Sequence, residues 1–353
     1  MSKKKKISIS DKLIGKDFPP FIIAEMSGNH NQDINKALEI VDAAAESGAS
    51  AIKLQTYTAD SLTLNIRGGD FKIKDKSSLW SGKDLYDLYK KAYTPWEWHK
   101  AIFDRAKEKK ILCFSSPFSE EAVDFLEELG TPAYKIASFE NNHIPLIKKA
   151  ASTGKPLIIS TGLATLGELE QAVSTARGAG CKNLILLKCT SNYPASAKDT
   201  NIATINHLRE LFDCEVGISD HTFGVGVSVA SIAFGATVIE KHFTLSREQG
   251  GVDSAFSMEP NEFRQLVLES NRAWESIGEI KYGPTKAERK SLIFRRSIYV
   301  AEDIKKGEKF TTKNLRIVRP GMGAPPHLLK IFLGKTAKKK YKKGSPFNFE
   351  QFL

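Results

Sequence analysis

The 353-residue sequence predicts an α/β fold, a closed (β/α)8 TIM barrel, followed by a small β-rich domain. Short continuous apolar runs alternate with amphipathic segments along roughly the first 280 residues, which is typical of a buried parallel sheet covered by helices. The alternation occurs eight times, and eight repeats over roughly 250 residues favour a closed barrel over an open sheet. After residue 276 the net charge and the pattern of apolar and polar residues change, and this predicts the second domain.

Eight apolar runs predict the strands: 21–24, 51–54, 111–114, 134–137, 156–159, 184–187, 216–218 and 238–239. The amphipathic segments predict helices over 35–47, 95–109, 120–129, 144–152, 166–178, 204–212, 224–234 and 260–276. Residues 58–94 interrupt the alternation of strands and helices. They form a much longer connection than the roughly 2–6 residues that usually join a strand to a helix. Such a loop is often a substrate lid. Its aromatic residues would either stack on a sugar or pack the loop down: Trp80, Tyr86, Tyr89 and Tyr93.

The net charge of +11 is unevenly distributed. Residues 285–353 contain 18 Lys and Arg against 5 Asp and Glu, a net charge of +13, whereas the preceding residues carry a net charge of −2. We predict a barrel domain at 1–276, a polar linker at 277–294 and a small domain at 295–353, with short strands broken by turns over 297–300, 305–308 and 315–318. Such a basic domain could attract a polyanion, an anionic substrate or an acidic neighbouring subunit.

Composition excludes several classes of protein. No segment approaches the ~20 uninterrupted apolar residues of a membrane helix, and no apolar run follows the lysines at positions 3–6 as a secretory signal would require. We therefore expect a cytoplasmic protein. The cysteines form no CxxC pair, which argues against a zinc ribbon or a redox motif, and each is expected to be a small buried apolar residue: Cys113, Cys181, Cys189 and Cys214.

Polar residues gather where the predicted strands end, which is where barrel enzymes place their active sites. Four strands contain lysines, although a buried ammonium group costs several kcal/mol unless an anion compensates it. With nearby serines they predict a site for a ligand that carries phosphate and carboxylate groups. The alternative for any one lysine is a side chain that faces outward between the helices. The residues are Lys53, Lys135, Lys188 and Lys241 with Ser116, Ser138, Ser160 and Ser219.

Two histidines, His221 and His242, follow neighbouring predicted strands, near the carboxylates of Glu25, Asp220 and Glu240. Two imidazoles with coordination positions left open predict a divalent-cation site, and two hydrogen-bonded structural histidines are the alternative. Other histidines are expected on helix or loop surfaces: His99, His143 and His207.

Seven segments resemble the sialic acid synthase family in order along the chain: AEMSGNH (24–30), IKLQT (52–56), YKIAS (134–138), STG (160–162), YP (193–194), SDHT (219–222) and IEKHF (239–243). The small domain, with RRS at 295–297 and RPG at 319–321, resembles the antifreeze-like (SAF) domain of that family. Within the family the resemblance is strongest to the pseudaminic acid synthases, on residues 55–64, 94–99, 114–118 and 188–191, and legionaminic acid synthases are the nearer competitor.

The resemblance implies a metal-dependent condensation of phosphoenolpyruvate with an open-chain 2,4-diacetamido-2,4,6-trideoxy-altrose, which releases phosphate. It implies phosphoenolpyruvate contacts for Lys53, Ser116, Lys135, Ser138, Ser160, Ser191 and Ser219, with Asn192 as the alternative to Ser191. It implies sugar contacts for Gln55, Phe118, Glu140, Tyr193, Asp253 and Arg319, the last reaching across a domain-swapped homodimer. Glu25 would handle a proton, and His221 and His242 would hold Mg²⁺, Mn²⁺ or Co²⁺.

Two other classes of function have distinguishing features. A barrel aldolase would share the anion-binding lysines but would need a Schiff-base lysine and no metal. A protein that binds RNA through the basic domain should interleave its charges with stacking aromatic residues, and this domain offers only Tyr299, Tyr341 and scattered phenylalanines. We therefore expect neither a nucleic-acid partner nor a membrane partner.

Overall fold

The computed structural model describes residues 7–348, so the lysines at positions 3–6 lie outside the described residues. The chain divides into two compact units between Gly278 and Glu279. In the first unit eight parallel strands close into a barrel, in which the last strand pairs with the first, and this confirms the predicted fold class. No helix within residues 7–348 is long and apolar enough to cross a membrane.

The strands of the first unit begin with a short antiparallel hairpin, β1 (Ile7–Ile9) and β2 (Lys12–Ile14). The barrel follows as β3 (Phe21–Glu25), β4 (Ala51–Thr56), β5 (Leu112–Pro117), β6 (Tyr134–Ile136), β7 (Leu157–Ser160), β8 (Leu184–Cys189), β9 (Glu215–Ser219) and β10 (Val238–His242). Its helices are α1 (Ile34–Glu46), α2 (Ala59–Leu62), α3 (Leu85–Ala92), α4 (His99–Glu108), α5 (Glu120–Glu128), α6 (Ile144–Ser152), α7 (Leu166–Gly178), α8 (Thr204–Phe212), α9 (Gly226–Ala233) and α10 (Pro260–Ile277).

Several helices begin where a side chain satisfies a free backbone N–H group. Asp33 accepts a hydrogen bond from the N–H of Asn35 at the start of α1, and Ser119 does the same at α5. Thr165 and Glu168 form a reciprocal capping box at α7. These caps explain why the helix starts fall within a few residues of the predicted positions.

The barrel strands separate two layers of apolar side chains. One layer fills the space between strands and helices, and it includes Leu184 and Leu186 of β8. The other lies inside the barrel, and it includes Ile185 and Leu187 of the same strand. Successive residues of a strand point to opposite faces of the sheet. A polar residue next to an apolar residue of the outer layer therefore points into the barrel, and a polar residue next to one of the inner layer points outward.

The hairpin β1–β2 was not predicted. Ile7, Ile9 and Ile14 are buried and belong to the same layer as the inward residues of the barrel strands. They close the end from which the strands start, and the active-site chemistry is left to the opposite end.

The second unit has its own small core. Strands β11 (Ser297–Val300) and β12 (Leu315–Val318) pair antiparallel, whereas residues 305–308 form a turn. A short helix, α11 (Leu329–Phe332), contributes to a cluster of buried residues around Phe310 and Phe347. A 3-10 helix (Glu288–Phe294) lies within the predicted linker.

Candidate active site

Only two of the four strand lysines point into the barrel. Lys53 and Lys135 alternate with residues of the outer layer and are buried inside, whereas Lys188 and Lys241 occupy outward positions. Lys188 is half-buried and donates a hydrogen bond to the carbonyl of Cys189. The interpretation of four lysines around one ligand is therefore wrong for two of them, because the inward or outward phase of a strand is not visible in a short apolar run.

Lys241 instead forms a structural ion pair on the outer face of the barrel. Its Nζ donates to the Asp220 carboxylate at 3.0 Å, and that carboxylate also accepts from Ser228 Oγ and the N–H of Thr222. The Asp220 side chain therefore lies on the outer face of the barrel, where these three groups bind it. The expectation that it lies beside a metal is incorrect.

A buried ionic cluster lies inside the barrel. It is formed by Glu25, Lys53, Lys135 and Glu240. Lys53 Nζ lies 2.5 Å from Glu25 Oε2 and 3.8 Å from Glu240 Oε2. Lys135 Nζ lies 3.6 Å from Glu240 Oε1. Each of these four residues is at most 5% exposed. The two lysines therefore face the carboxyl groups of Glu25 and Glu240 in surroundings almost closed to solvent.

Burial and pairing act in opposite directions on these groups. Burial lowers the pKa of Lys53, but Glu240 and Glu25 outweigh it and raise the pKa. Burial lowers the pKa of Lys135, and Glu240 offsets only part of that effect. Burial raises the pKa of Glu25 despite the opposing effect of Lys53, so this carboxyl group is suited to hold a proton at neutral pH.

Serines at the strand ends extend the cluster. Ser116 Oγ accepts from Lys53 Nζ at 3.2 Å, Ser160 Oγ accepts from Lys135 Nζ at 2.7 Å, and Ser219 Oγ donates to Glu240 Oε1 at 2.9 Å. Ser138 and Ser191 both approach Gly162, where a β-carbon would collide with their hydroxyl oxygens. Ser191 thus lies near Ser138, whereas Asn192 is exposed.

The rings of the two strand-end histidines pack edge to face, with centroids 5.3 Å apart. His221 Nδ1 bonds the carbonyl of Thr190 at 2.9 Å, which orients the ring, and Cys189 is a second hydrogen-bond partner of His221. His242 Nδ1 is buried without a hydrogen-bond partner in the described chain, 3.9 Å from Asp253 Oδ2. Burial lowers the pKa of His242 well below its usual value and so favours the neutral, ligating form.

These donors fit a divalent cation held by two imidazoles, with the remaining positions open to substrate and water. Residues 7–348 contain no cluster of three or more His, Cys, Asp or Glu side chains arranged to enclose a metal. Two imidazole ligands favour Co²⁺ over Mn²⁺, and they suit Mg²⁺ least because Mg²⁺ prefers oxygen ligands.

A cavity of about 270 Å³ opens beside His242. Its lining includes the polar side chains of Ser27, Gln55, Glu140, His242 and Asp253, together with Tyr193 and Phe118. All the predicted sugar contacts in the barrel therefore meet in one space. Trp80 and Tyr89 of the long insertion line this cavity, whereas Tyr86 and Tyr93 do not.

Hydrogen bonds connect this cavity to the ionic cluster. Gln55 Nε2 donates to Glu25 Oε1 at 2.9 Å and to Ser27 Oγ at 3.1 Å, and Ser27 Oγ donates in turn to Asp253. Burial raises the pKa of Glu140 to about 7. The site thus contains three carboxyl groups whose pKa values are raised by burial: Glu25, Glu140 and Asp253.

Several positions differ from the sequence-based expectations. His99 is fully buried, with Nε2 2.8 Å from Thr56 Oγ1, and was wrongly expected on a surface. Cys189 points into the barrel beside His221 and Ser191, although only its burial was expected. A contact of this kind depends on strand register, and a lone cysteine in an apolar run gives no signal of it. Arg319 is exposed on the second unit.

Comparisons with known proteins agree with this architecture. The chain matches the NeuB family over residues 40–282 and the SAF domain over residues 295–353. It is 45% identical to a pseudaminic acid synthase of Campylobacter jejuni over 92% of this chain and 94% of that protein. It is 39% identical to an N,N'-diacetyllegionaminic acid synthase of the same species, over 91% of this chain and 96% of that protein. A solved N-acetylneuraminic acid synthetase from Leptospira borgpetersenii superposes with a TM-score of 0.72 at 33% identity, over 82% of this chain and 95% of that one.

Proposed function

We infer the activity from the family: the chain belongs to the NeuB family and carries a SAF domain. We propose that it condenses phosphoenolpyruvate with 2,4-diacetamido-2,4,6-trideoxy-β-L-altropyranose, in its open-chain form, to give pseudaminic acid and phosphate. The observation that carries this proposal is the buried pair Lys53 and Lys135 near a cavity that is lined by His242, with the ring of His221 beside that of His242. This arrangement suits an anionic donor beside a neutral acceptor that carries an aldehyde.

Each reactant has its own set of residues. Lys53 and Lys135 bind the phosphate and carboxylate groups of phosphoenolpyruvate, and the serines of the strand ends add hydrogen bonds. Gln55, Glu140 and Asp253 orient the sugar. A divalent cation on His221 and His242 would polarise the aldehyde oxygen as a Lewis acid.

The chain's residues then guide the bond changes. The methylene carbon of phosphoenolpyruvate attacks the aldehyde carbon, and a carbon–carbon bond forms. Water adds to the resulting oxocarbenium carbon, and the tetrahedral product expels phosphate. Glu25 exchanges the proton of the new sugar hydroxyl or of the attacking water, because its raised pKa permits both protonation states near neutral pH.

The proposal also includes a cytoplasmic homodimer, in which Arg319 of one chain reaches the sugar in the other chain's barrel. Mixing an Arg319→Ala chain with a Glu25→Ala chain tests this arrangement. Mixed dimers should recover up to about half of the wild-type activity, because one of the two sites has both residues intact. Mixed dimers that form and remain inactive would assign Arg319 to its own chain or to no catalytic role.

The central experiment is phosphate release from phosphoenolpyruvate with purified protein and Mn²⁺. The altro-configured diacetamido sugar, its manno-configured isomer and N-acetylmannosamine are supplied separately. We expect the altro sugar to give the highest kcat/KM. Preference for the manno isomer would move the chain to the legionaminic acid synthases, and efficient use of N-acetylmannosamine would move it to the neuraminate synthases.

A further inference from the structure

The insertion between Thr58 and Thr94 presents an uncharged surface to the cavity. It contains twelve charged residues, all of them described, and none lines the cavity. Four aliphatic side chains line it instead, and we call them the aliphatic wall: Leu62, Ile73, Leu85 and Leu88. The segment is highly charged, yet its charged residues lie away from the cavity and its aliphatic residues line it. This separation indicates that the wall faces an apolar part of a ligand.

Backbone pairing explains how Ile73 comes to face the cavity. The N–H of Ile73 donates to the carbonyl of Lys83 at 3.0 Å, and the N–H of Gly82 donates to the carbonyl of Ile73 at 2.8 Å. Lys72 pairs with Asp84 in the same short ribbon. Side chains alternate along such a ribbon, so Lys72 and Lys74 are exposed while Ile73 turns inward.

The insertion is anchored at both its middle and its end. Trp80 Nε1 donates to the carbonyl of Val252 at 2.9 Å, in the segment after β10. Gln32 donates to the carbonyl of Tyr93, and Gly28 lies so close to Ala92 that a β-carbon there would be 3.0 Å from its carbonyl oxygen. These contacts hold the aliphatic wall at a defined position relative to the barrel.

The direction of the sugar follows from the position of the carbon that reacts. The carbon that reacts is C1, so it must lie near His242 and the ionic cluster, where phosphoenolpyruvate is bound. The rest of the open chain then extends along the cavity away from His242. C6 is the chain carbon furthest from C1, and the insertion lines the cavity with the aliphatic wall as well as with Trp80, Tyr89 and Ala92.

We propose that the aliphatic wall determines specificity by receiving the methyl-bearing C6 end of the sugar. This inference rests on the proposed function and assigns to the insertion the selection of 6-deoxy sugars over 6-hydroxy sugars. A C6 hydroxyl against Leu62, Ile73 and Leu85 would lose its water without gaining a hydrogen bond. A C6 methyl group loses nothing in the same place. The preference is independent of the altro or manno configuration.

A matched pair of sugars tests the wall directly. One is the diacetamido-trideoxy sugar, and the other has the same configuration with a hydroxyl on C6. Wild-type protein should favour the 6-deoxy sugar by about 10- to 100-fold in kcat/KM, the range that an apolar pocket achieves against an added hydroxyl. Ile73→Thr places a hydroxyl in the wall and should reduce this ratio about tenfold, with the KM for phosphoenolpyruvate unchanged. Leu62→Asn should act in the same direction and serves as the second variant.

Ile66→Thr is the control, because Ile66 belongs to the same insertion, is 45% exposed and does not line the cavity. It should keep the wild-type ratio. The wall proposal is overturned if both wall variants keep that ratio, or if the control loses as much. A wild-type protein that turns over neither sugar overturns the proposed function itself, and with it the wall. A manno preference whose 6-deoxy selectivity falls in Ile73→Thr would correct the proposed substrate and support the wall.

Discussion

The buried ionic cluster and the aliphatic wall bound the same active site but are built in opposite ways. The cluster lies inside the barrel, on four strands, and consists of Glu25, Lys53, Lys135 and Glu240. The wall belongs to an insertion outside the barrel and contributes only carbon atoms to the cavity. The strands hold their charged groups rigidly, whereas the insertion is an addition whose side chains can change without disturbing the barrel.

This difference corresponds to two tasks. A buried ion pair is weak evidence for stabilisation of the fold, because the free-energy cost of desolvating the two charges offsets most of their attraction. We therefore interpret the cluster as a site prepared for an anionic substrate, with the two carboxylates as temporary partners of the lysines. The wall selects the second substrate, and selection by apolar contacts is intrinsically modest. Variants in the cluster should thus cost more activity than variants in the wall.

The largest effect is expected at the metal site, next to the cluster. Chelation should abolish phosphate release, and a divalent cation should restore it. His242→Ala should lower kcat by about 10³-fold or more, because Lewis-acid polarisation supplies several kcal/mol. Calorimetric titration with Mn²⁺ provides an independent measurement, in which His221→Ala and His242→Ala should each weaken binding. Normal turnover after chelation would contradict the role of the metal.

Next in size are the inward lysines. Lys53→Ala and Lys135→Ala should each raise the KM for phosphoenolpyruvate by about 10- to 150-fold, which corresponds to a charge-assisted hydrogen bond worth roughly 1.5–3 kcal/mol. The KM for the sugar should change far less. Lys188→Ala is the matched control, because Lys188 is also a strand lysine but faces outward. Equal changes for both substrates would mean that the inward lysines are structural.

The smallest effect concerns Glu140, between the cluster and the wall. Burial raises its pKa from 4.5 to about 7, while Lys135 and Lys53 oppose this shift. The folded protein therefore keeps this proton between those pH values while the unfolded chain releases it, so the free energy of unfolding falls as pH rises through the window. Tyr89 also faces this carboxyl group, but its raised pKa keeps it neutral there.

Glu140→Gln should remove that part of the pH dependence. Its free energy of unfolding relative to wild type should increase by roughly 1–2 kcal/mol between about pH 5 and pH 7.5, after allowance for partial exposure. Urea unfolding at both pH values measures this difference. The exposed Glu170→Gln is the control and should show no such change. A constant difference between wild type and Glu140→Gln would contradict the shifted pKa.

Much of this molecule was predictable because the deciding interactions are local. The period of apolar residues separates strands from helices, and eight repeats predict a barrel. The strand ends also identified His221, His242 and the serines as members of one site. The hairpin β1–β2 was not predicted because its three buried apolar residues are too few to form a pattern, and its role depends on the barrel end that it closes.

The sequence by itself determined which residue types stand at the strand ends and in what order. Only the tertiary structure decided which of them meet. Lys53 and Lys241 are both strand lysines, yet one points into the barrel and the other pairs with Asp220 on the outer face. The physical reason is that a strand's side chains alternate with a period of two, and its phase is set by hydrogen-bonded register with both neighbours in the closed barrel.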